Sequence, residues 1–427
     1  MKNTSQRTER FIQFGEGGFL RGFADWMIQK LNDKTGFEGS VVVIQPRKNG
    51  KCHLLTSQGC RYTHIIRGKE GTEKEVIDII SRCIDPYVEF QTYLELAAIP
   101  SLRYIISNTT EAGITFCRDE KASETPPASF PGKLTLLLKR RFDLGLPGFI
   151  FLPCELIHRN GEALKKCILQ YAELWQLGEA FVRWIEKEND FCCTLVDRIN
   201  TGYPHGEAIE TPFPDKMLNA SEHFHLWVIE TTLDLNKELP FKEAGLNVIV
   251  TNDELEKYHT RKVRILNGAH TAFVPYALLE GFETVQECVE DEAMRSFIHN
   301  CIFEEIIPTL DLPEDELNDY ANSVLLRFEN PYIRHELSSI ALNSVSKFKV
   351  RVLPSILAYK DRFGTYPKNL MLSLKKLLEF YKFRDLIFEY GQDGFSCIVH
   401  SIHMKIERLR VVCVGFKRLS RIYCVSK

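Results

Sequence analysis

The first 45 residues alternate between apolar runs and a glycine turn. Residues 10–14 are a short β-prone run, Gly15-Glu16-Gly17-Gly18 is a tight-turn sequence, and residues 19–31 carry apolar side chains at helical spacing. Residues 40–45 contain a continuous apolar run, which is typical of a parallel strand buried on both faces. A strand, a glycine turn, a helix and a second strand in this order predict the first βαβ unit of a dinucleotide-binding domain.

Strands and helices go on alternating to about residue 250. This alternation favours an α/β fold with an N-terminal doubly wound Rossmann-type domain. The further predicted strands are 104–107, 149–152, 191–198 and 225–229, and the further predicted helices are roughly 87–98, 132–143, 161–175 and 179–187.

After residue 250 the chain changes character, because helical periodicity continues without a convincing strand. The predicted helices are 253–279, 285–310, 315–328, 333–342 and 370–383. We therefore expect a dinucleotide-binding Rossmann-type domain at 1–250, a C-terminal mostly helical substrate or catalytic domain at 251–390, and a basic tail of uncertain structure at 391–427.

The composition of the 427-residue chain is that of an ordinary globular protein, with 44% hydrophobic and 26% charged residues. Lys and Arg total 54 and Asp and Glu total 57, so the net charge of −3 gives no electrostatic footprint for nucleic acid. The 13 cysteines include no Cys-x-x-Cys pair, and we expect reduced thiols. No apolar run approaches the ~20 residues that span a bilayer, and the N-terminus lacks the apolar core of a signal peptide. We expect a cytoplasmic protein whose partner is a small molecule rather than nucleic acid or membrane; its oligomeric state stays open.

The glycine turn is the candidate phosphate-binding site. Glycines allow a tight turn and let backbone N–H groups approach a pyrophosphate, and the helix that follows adds a partial positive charge. Leu20 stands where the common pattern has its third glycine. The predicted cofactor-binding residues, in the turn and at the ends of neighbouring strands, are Ile12, Gln13, Phe14, Gly15, Glu16, Gly17, Gly18, Phe19, Leu20, Arg21, Gly22, Phe23, Gln45, Asn108 and Thr109.

Gln45 ends the second strand, where an acid usually holds the adenosine ribose of a dinucleotide. Its amide can still hydrogen-bond ribose hydroxyls. Arg47 and Lys48 follow it, and their charges would tolerate a 2′-phosphate. This position therefore leaves both NAD and NADP open.

Lys262, Asn267 and His270 form the candidate catalytic set near the start of the helical half. At ~100° per residue they fall at about 0°, 140° and 80°, on one broad helical face. A desolvated lysine can act as a general base, an amide can hold an alkoxide, and an imidazole can bind a neighbouring hydroxyl. These groups suit carbonyl–alcohol redox chemistry; each residue alone is also compatible with a structural role.

Together, Lys262-x4-Asn267-x2-His270, the turn at 15–21 and Val196-Asp197-Arg198-Ile199 resemble the polyol-specific long-chain dehydrogenases, the mannitol dehydrogenase family. The resemblance covers about residues 10–385. It implies a metal-independent, NAD-linked reductase in which Lys262 is the general acid/base, Asn267 stabilises the alkoxide and positions Lys262, and His270 binds a substrate oxygen.

Within the family, the segments at 12–17, 196–204 and 340–354 are most similar to members that act on hexuronates. The resemblance implies reversible reduction of D-tagaturonate to D-altronate in hexuronate breakdown. Reduction of D-fructuronate and oxidation of mannitol remain alternatives inside the family. An alternative of another class is a relative that binds nucleotide without catalysis.

Two positions depart from the mannitol-type pattern. Cys193 stands where those enzymes have a second alkoxide-binding asparagine, and Ser339 stands where they have a substrate-binding arginine. A uronate carries a carboxylate, so its pocket needs a cation, and Arg351 is attractive because a guanidinium can grip a carboxylate bidentately. The candidate substrate-binding residues are Cys193, Asp197, His335, Lys347 and Arg351, with Lys349 as a further cation.

Two of these candidates also have a plainer interpretation. Lys347, Lys349 and Arg351 could form a solvated basic turn, and Asp197-Arg198 could contribute a structural ion pair. No metal is predicted, because His223 and His225 lie on one segment and Cys154-Glu155 on another, without a recognisable three-ligand set.

Overall fold

The computed structural model describes residues 7–110 and 112–381, so the predicted tail at 391–427 lies outside the described residues. The described chain forms two compact units. The first unit comprises residues 7–263 and 311–334, and the second comprises residues 264–310 and 335–381. The second unit thus begins at residue 264, and the segment 311–334 returns to the first unit. The predicted domain boundary at 250 stays a prediction.

The strands within the described residues all belong to the first unit. In chain order they are β1 Thr8–Phe14, β2 Gly39–Ile44, β3 Tyr62–Gly68, β4 Gly71–Ile77, β5 Ile80–Ile84, β6 Tyr104–Ser107, β7 Ile150–Pro153, β8 Asp190–Phe191, β9 Cys193–Asp197, β10 Asn200–Gly202, β11 Asn219–Ser221, β12 Leu226–Glu230 and β13 Val248–Thr251.

The α-helices occur in both units. Those of the first part of the chain are α1 Gly18–Gly22, α2 Ala24–Thr35, α3 Cys52–Ser57, α4 Phe90–Glu95, α5 Phe130–Asp143, α6 Asn160–Leu174, α7 Glu179–Lys187, α8 Leu235–Glu238 and α9 Leu255–Lys262. The later ones are α10 Gly268–Glu280, α11 Val285–Glu290, α12 Glu292–His299, α13 Glu314–Phe328, α14 Leu337–Ile340, α15 Ser344–Arg351, α16 Leu353–Phe363 and α17 Lys368–Phe380. Short 3₁₀ turns lie at Leu96–Ala98 and Ile307–Thr309, and π-helical turns at Val263–Asn267 and Asn300–Ile306.

The main sheet of the first unit has six parallel strands in the order β5-β2-β1-β6-β7-β8. The chain winds outward from β1 in one direction through β2 and β5, and in the other through β6, β7 and β8. This is the doubly wound arrangement, in which ligands bind at the carboxyl ends of strands beside the central reversal. The predicted Rossmann-type fold is confirmed.

Both faces of the main sheet are covered, which explains the continuous apolar runs of its strands. On β1, Phe11 packs into one apolar core, while Ile12 and Phe14 pack into the core on the other face. On β2, Val41 and Val43 face the first core, and their neighbours in the strand face the second. Alternate side chains point to opposite faces of a strand, so a strand buried on both faces must be apolar throughout.

Two smaller sheets complete the strands of the first unit, in the orders β10-β11-β3-β4 and β13-β12-β9. The first contains a hairpin in which β3 and β4 pair antiparallel along their whole length. The periodicity analysis missed this hairpin, because Tyr62–Gly68 is buried at every position and Gly71–Ile77 is mostly exposed. Neither strand therefore shows the alternation that marks a half-buried strand.

The described part of the second unit is helical, as expected. α10 lies in its core, with Ala272 and Phe273 buried, and the Ser373 hydroxyl on α17 donates a hydrogen bond to the Ala272 carbonyl. The Glu305 carboxylate accepts backbone N–H bonds from Asn369 and Leu370 and so caps α17.

Two of the predicted helices were wrong in extent. The helix expected at 285–310 breaks at Asp291, whose backbone is extended and whose carboxylate caps α12 through the Met294 N–H. The helix expected at 333–342 shrinks to α14, because the residues before it pair with 283–285 in extended conformation. None of the described helices is both long and apolar enough to cross a membrane. The ten cysteines in the described residues are free thiols.

Candidate active site

Gly15 closes the turn after β1 with a φ of +123°, a conformation that favours glycine. Its N–H donates to the Ile44 carbonyl at 3.0 Å, which ties the turn to the end of β2. A Cβ on Gly15 would also lie 3.2 Å from the Asn108 carbonyl and 3.3 Å from Leu20 Cδ1. The turn is therefore held tightly between β2 and β6, and Leu20 fills the space behind it.

Gly17 differs, because nothing inside the protein requires a glycine there. Its φ is −66°, which any residue adopts, and a Cβ would meet no other heavy atom within 4 Å. It is the N-cap residue of α1, and it offers no capping side chain. The open space before its α-carbon is what a close approach by a pyrophosphate oxygen requires.

Gly18 and Gly22 serve packing instead. A Cβ on Gly22 would lie 2.0 Å from Asn200 Nδ2 and 2.7 Å from Asn219 Nδ2, while both amides donate to the Gly18 carbonyl, at 2.9 and 3.0 Å. These two glycines let α1 lie directly against β10 and β11. Their small size is explained by this contact and needs no cofactor.

The polar side chains around the turn are used to hold it. Gln13 Nε2 donates to the Gly15 carbonyl, and the Glu16 carboxylate accepts the Lys51 N–H. The buried Arg21 guanidinium donates to the carbonyls of Glu16 and Met217. The remaining predicted residues of the turn are apolar and lie in or against the two cores of the first unit: Ile12, Phe14, Phe19, Leu20 and Phe23.

Gln45 lines a cavity of about 780 Å³ at the carboxyl ends of β2 and β5. Its amide is already engaged, because Nε2 donates to Asp85 at 2.7 Å and Oε1 accepts the Cys52 N–H at 3.3 Å. Lys48 and Asp85 also line this cavity. Asp85, which the sequence analysis did not single out, thus supplies the carboxylate that the end of β2 lacks.

Asn108 and Thr109 follow β6 and are fastened to the end of β7. Asn108 Nδ2 donates to the Cys154 carbonyl at 2.7 Å. The N–H and hydroxyl of Thr109 and the hydroxyl of Ser107 all donate to the Glu155 carboxylate, at 2.9–3.0 Å. Burial raises the pKa of Glu155, and these donors oppose that shift. These side chains hold the loop in place, and the predicted contact of Asn108 and Thr109 with a cofactor stays a prediction.

Lys262 is the last residue of α9, and its ammonium points at the end of β9. Nζ donates to the Val196 carbonyl at 2.9 Å and lies 3.9 Å from Asp197 Oδ1. The Lys262 side chain is 14% exposed, so its charged form is partly desolvated. This setting fits a proton-transferring lysine, since burial and a nearby carboxylate act on its pKa in opposite directions.

Asp197 is held in a buried network. Arg327 on α13 donates to both its oxygens, at 2.9 and 3.2 Å, and the Tyr320 hydroxyl donates at 2.8 Å. Arg327 also donates to the buried Glu222 carboxylate at 2.9 Å. Burial opposes ionisation of Asp197, but the charges of Arg327 and Lys262 outweigh it and lower the Asp197 pKa to about 2. The structural ion pair expected at this position exists, with Arg327 as the partner of Asp197.

Arg198 has a separate structural role. Its guanidinium donates to the carbonyls of Glu222 and Gly22 and lies over the Trp26 ring. It is buried, and burial lowers its pKa to about 9. Arg198 thereby anchors the end of α1.

The residues between Lys262 and Asn267 form a π-helical turn, Val263–Asn267. A π-helical turn has more residues per turn than an α-helix, so each residue rotates the chain by a smaller angle about the helix axis. The angles of 140° and 80°, which assumed a constant rotation of 100° per residue, are therefore wrong for this segment. In the second unit, Asn267 is the N-cap residue of α10, and the His270 ring lies 5.8 Å from the His335 ring. The shared face of Lys262, Asn267 and His270 stays a prediction.

The predicted substrate cations lie on α15, a helix rather than the basic turn considered from the sequence. Lys347 Nζ donates to the Ile340 carbonyl at 2.9 Å. Arg351 is half-buried, and burial lowers its pKa. Within residues 7–110 and 112–381, its guanidinium has neither an acidic partner nor a hydrogen bond. Arg351 is therefore the better placed of these cations to receive an anion.

Cys193 lies in a small apolar cluster with Leu195, Leu226 and Val228, and burial raises the pKa of its thiol. Packing accounts for its position on β9, and its part in substrate binding stays a prediction. Among the described residues, no group of three or more His, Cys, Asp or Glu could hold a metal ion.

Two families of domains match the chain in sequence. Residues 9–243 match the mannitol dehydrogenase Rossmann domain, and residues 254–386 match the mannitol dehydrogenase C-terminal domain. A similar relative is the altronate oxidoreductase of Pectobacterium atrosepticum, which is 45% identical over 390 residues, or 88% of this chain and 80% of the relative.

Two solved structures share the fold. Substrate-free D-sorbitol dehydrogenase has a TM-score of 0.77 at 21% identity and covers 88% of this chain and 81% of its own. The ternary complex of Pseudomonas fluorescens mannitol 2-dehydrogenase with NAD and D-mannitol has a TM-score of 0.68 at 22% identity, covering 89% and 80%. At these identities the likeness concerns the fold alone.

Proposed function

The chain belongs to the mannitol dehydrogenase family, and we propose that it is an NAD-dependent oxidoreductase that reduces D-tagaturonate to D-altronate in hexuronate breakdown. The observation that carries the proposal is 45% identity to an altronate oxidoreductase across 88% of the chain. We infer the roles of individual residues from their contacts within each unit.

The first unit fits a nicotinamide dinucleotide. The open space at Gly17 suits the pyrophosphate, and the cavity beside Gln45 and Asp85 suits the adenosine. The Asp85 carboxylate has lone pairs for a ribose hydroxyl and would repel a 2′-phosphate, which favours NAD over NADP. When bound, NADH supplies the hydride for the carbonyl carbon.

Lys262 is the proposed proton donor and acceptor. In the direction of reduction its ammonium gives a proton to the oxygen that becomes the new hydroxyl, and in oxidation the neutral amine removes that proton. The Val196 carbonyl holds Nζ in place through the 2.9 Å hydrogen bond. The Asn267 amide is proposed to stabilise the oxyanion, and His270 to bind a substrate oxygen.

Arg351 is the proposed partner of the substrate carboxylate. A half-buried guanidinium without an acid nearby has lost water and gained no compensating charge, so an anion that binds there recovers part of that cost. Ser339, in place of the mannitol-type arginine, agrees with a substrate that is gripped through a different terminus.

A substrate panel followed by NADH absorbance tests the proposal. We expect D-tagaturonate to be reduced with the highest kcat/KM, ahead of D-fructuronate and D-fructose. A higher value for D-fructuronate or fructose would assign one of the sister activities. Quenching of NADH fluorescence without turnover of any substrate would identify a nucleotide-binding relative that lacks catalysis.

A further inference from the structure

We propose that Asp197 and Arg327 are positioning residues that set the protonation of Lys262: the Asp197 carboxylate stabilises the ammonium, and Arg327 limits that stabilisation. The inference rests on the proposed role of Lys262 as the acid/base. It uses contacts inside the first unit alone, where the Lys262 ammonium lies 3.9 Å from Asp197 Oδ1.

Asp197 can act on Lys262 because its carboxylate is buried, lies close to the ammonium and is fixed by hydrogen bonds to both of its oxygens. Its side chain and that of Arg327 are each only 4% exposed, so water screens their charges little. Arg327 Nη1 and Nη2 and the Tyr320 hydroxyl donate to its two oxygens. Because Asp197 stays ionised at every pH at which a lysine titrates, it is a fixed negative charge beside the ammonium.

Arg327 opposes this effect. Its guanidinium binds the same carboxylate at 2.9 Å, and its positive charge is divided between Asp197 and Glu222. A base that works near neutral pH needs an ammonium that is stabilised enough to be held in place but can still lose its proton. An unopposed carboxylate would hold the proton too strongly, whereas an unopposed guanidinium would expel it.

Several other groups face Lys262 or its helix. They are Cys193 on β9, which packs with Leu255 and Tyr258, Glu230 on β12, Glu256, His259 and Arg261 on α9 itself, His158, and Glu316 on α13. Arg261 is paired with Glu316, Glu230 with Arg159 and Glu256 with His158. Burial raises the pKa of the Cys193 thiol and lowers the pKa of His259. The proposed effect on the ammonium acts through Asp197, whose Oδ1 lies 3.9 Å from Lys262 Nζ and which Arg327 and Tyr320 hold in place.

The test measures the titration of Lys262 without substrate. Brief labelling with acetic anhydride at a series of pH values, read by mass spectrometry of the Lys262 peptide, gives the fraction of reactive amine. Asp197→Asn should lower the Lys262 pKa by about one unit or more. The double variant Arg327→Met/Glu222→Gln removes one positive and one negative charge and leaves Lys262 as the cation beside Asp197, so it should raise the Lys262 pKa. Arg327→Lys, which keeps the charge, should stay near the wild-type value.

Arg141→Met is the matched control, since Arg141 is a buried arginine of the same unit that donates to backbone carbonyls only, among them those of Pro147 and Leu102. It should lose stability without moving the titration of Lys262. Should Asp197→Asn fail to fold, Tyr320→Phe removes one donor from Asp197 at constant shape, and it should raise the Lys262 pKa by a fraction of a unit.

Opposite shifts in the two charge variants support the proposal, because a merely structural role cannot move a titration in both directions. Equal titrations in all folded variants, or shifts of the same sign, would overturn it. The kcat of D-altronate oxidation against pH should show the same opposite displacements. Failure of the substrate panel alone would leave the labelling result intact, so the two proposals fail separately.

Discussion

Arg327 and Arg351 show how differently the two units use a buried cation. Arg327, in the first unit, is 4% exposed and donates to two carboxylates, with a tyrosine hydroxyl on the same Asp197. Arg351, in the second unit, is half-buried and has no acid or hydrogen-bond acceptor among the described residues. The Arg327 guanidinium is thus paired with carboxylates of the protein, whereas the Arg351 guanidinium is not paired with any described acid.

The difference separates a structural charge from one that awaits a ligand. A buried cation with two anions recovers its lost hydration inside the fold, so removing it leaves the anions unpaired. A buried cation without a partner has lost hydration and lowers the stability of the fold. A bound anionic ligand would compensate for part of this cost. We therefore expect Arg327 to matter for folding and for Lys262, and Arg351 to matter for the substrate.

The largest effect should come from Lys262, the proposed acid/base. Lys262→Ala should lower kcat by roughly 10²–10⁴-fold, the usual contribution of a general acid/base, with little change in the Kd of NADH. Stopped-flow turnover and fluorescence titration measure the two quantities. Lys257→Ala, on the exposed face of the same helix, is the control and should keep full activity. A Lys262→Ala enzyme with most of its activity would remove the lysine from the mechanism.

The two arginines themselves should differ in their effect on folding. Arg327→Met should lower the free energy of unfolding by about 3–5 kcal/mol, because Asp197 and Glu222 lose their shared cation. Arg351→Met should change it by less than about 1 kcal/mol. Urea unfolding of both variants at one pH makes the comparison. Similar losses in both would mean that Arg351 is also committed to the fold.

Two buried aspartates of the first unit, Asp197 and Asp25, show the same difference between a paired and an unpaired charge. Asp197 has a buried cation and a pKa of about 2, whereas burial raises the pKa of Asp25 to about 7. A raised carboxyl pKa means that the folded state binds its proton more tightly than the unfolded state does. Stability is therefore lost as pH rises from the unfolded value near 4 through 7.

Asp25→Asn should remove this loss, and the variant should gain about 2 kcal/mol relative to wild type between pH 5 and pH 8. Urea unfolding at the two pH values measures the gain. An equal pH dependence in both proteins would show that Asp25 is ionised in the fold.

Two glycines of the turn should differ in the same way, with Gly17 affecting cofactor binding and Gly22 affecting stability. Gly17→Ala should leave stability nearly unchanged but weaken NADH binding about tenfold, or ~1.4 kcal/mol, since the Cβ enters the space before the turn. Gly22→Ala should instead cost about 1–3 kcal/mol of stability, because the Cβ overlaps the amides of Asn200 and Asn219. Unfolding curves and NADH titrations would expose a reversed assignment.

The sequence predicted what is written locally. The β1–turn–α–β2 unit was predicted correctly from its periodicity and glycines, whereas the catalytic role of Lys262 stays a prediction. The network around Lys262 could not be predicted, because Tyr320 and Arg327 lie about 60 residues later on a segment that returns to the first unit. No local spacing reports such a long-range contact. The hydrogen bond between Gln45 and Asp85 was missed for the same reason. The π-helical turn was missed because a periodicity analysis assumes a constant rotation per residue.

The most direct test of the account measures kcat/KM for D-tagaturonate and for an uncharged ketose in wild type, Arg351→Ala and the control Lys349→Ala. A charged hydrogen bond is worth roughly 1.5–3 kcal/mol, so Arg351→Ala should cost about 10–150-fold with D-tagaturonate and much less with D-fructose. Lys349→Ala should cost little with either. Equal losses for both substrates in Arg351→Ala, or equal wild-type efficiency with both, would contradict the assignment of Arg351 to the substrate carboxylate.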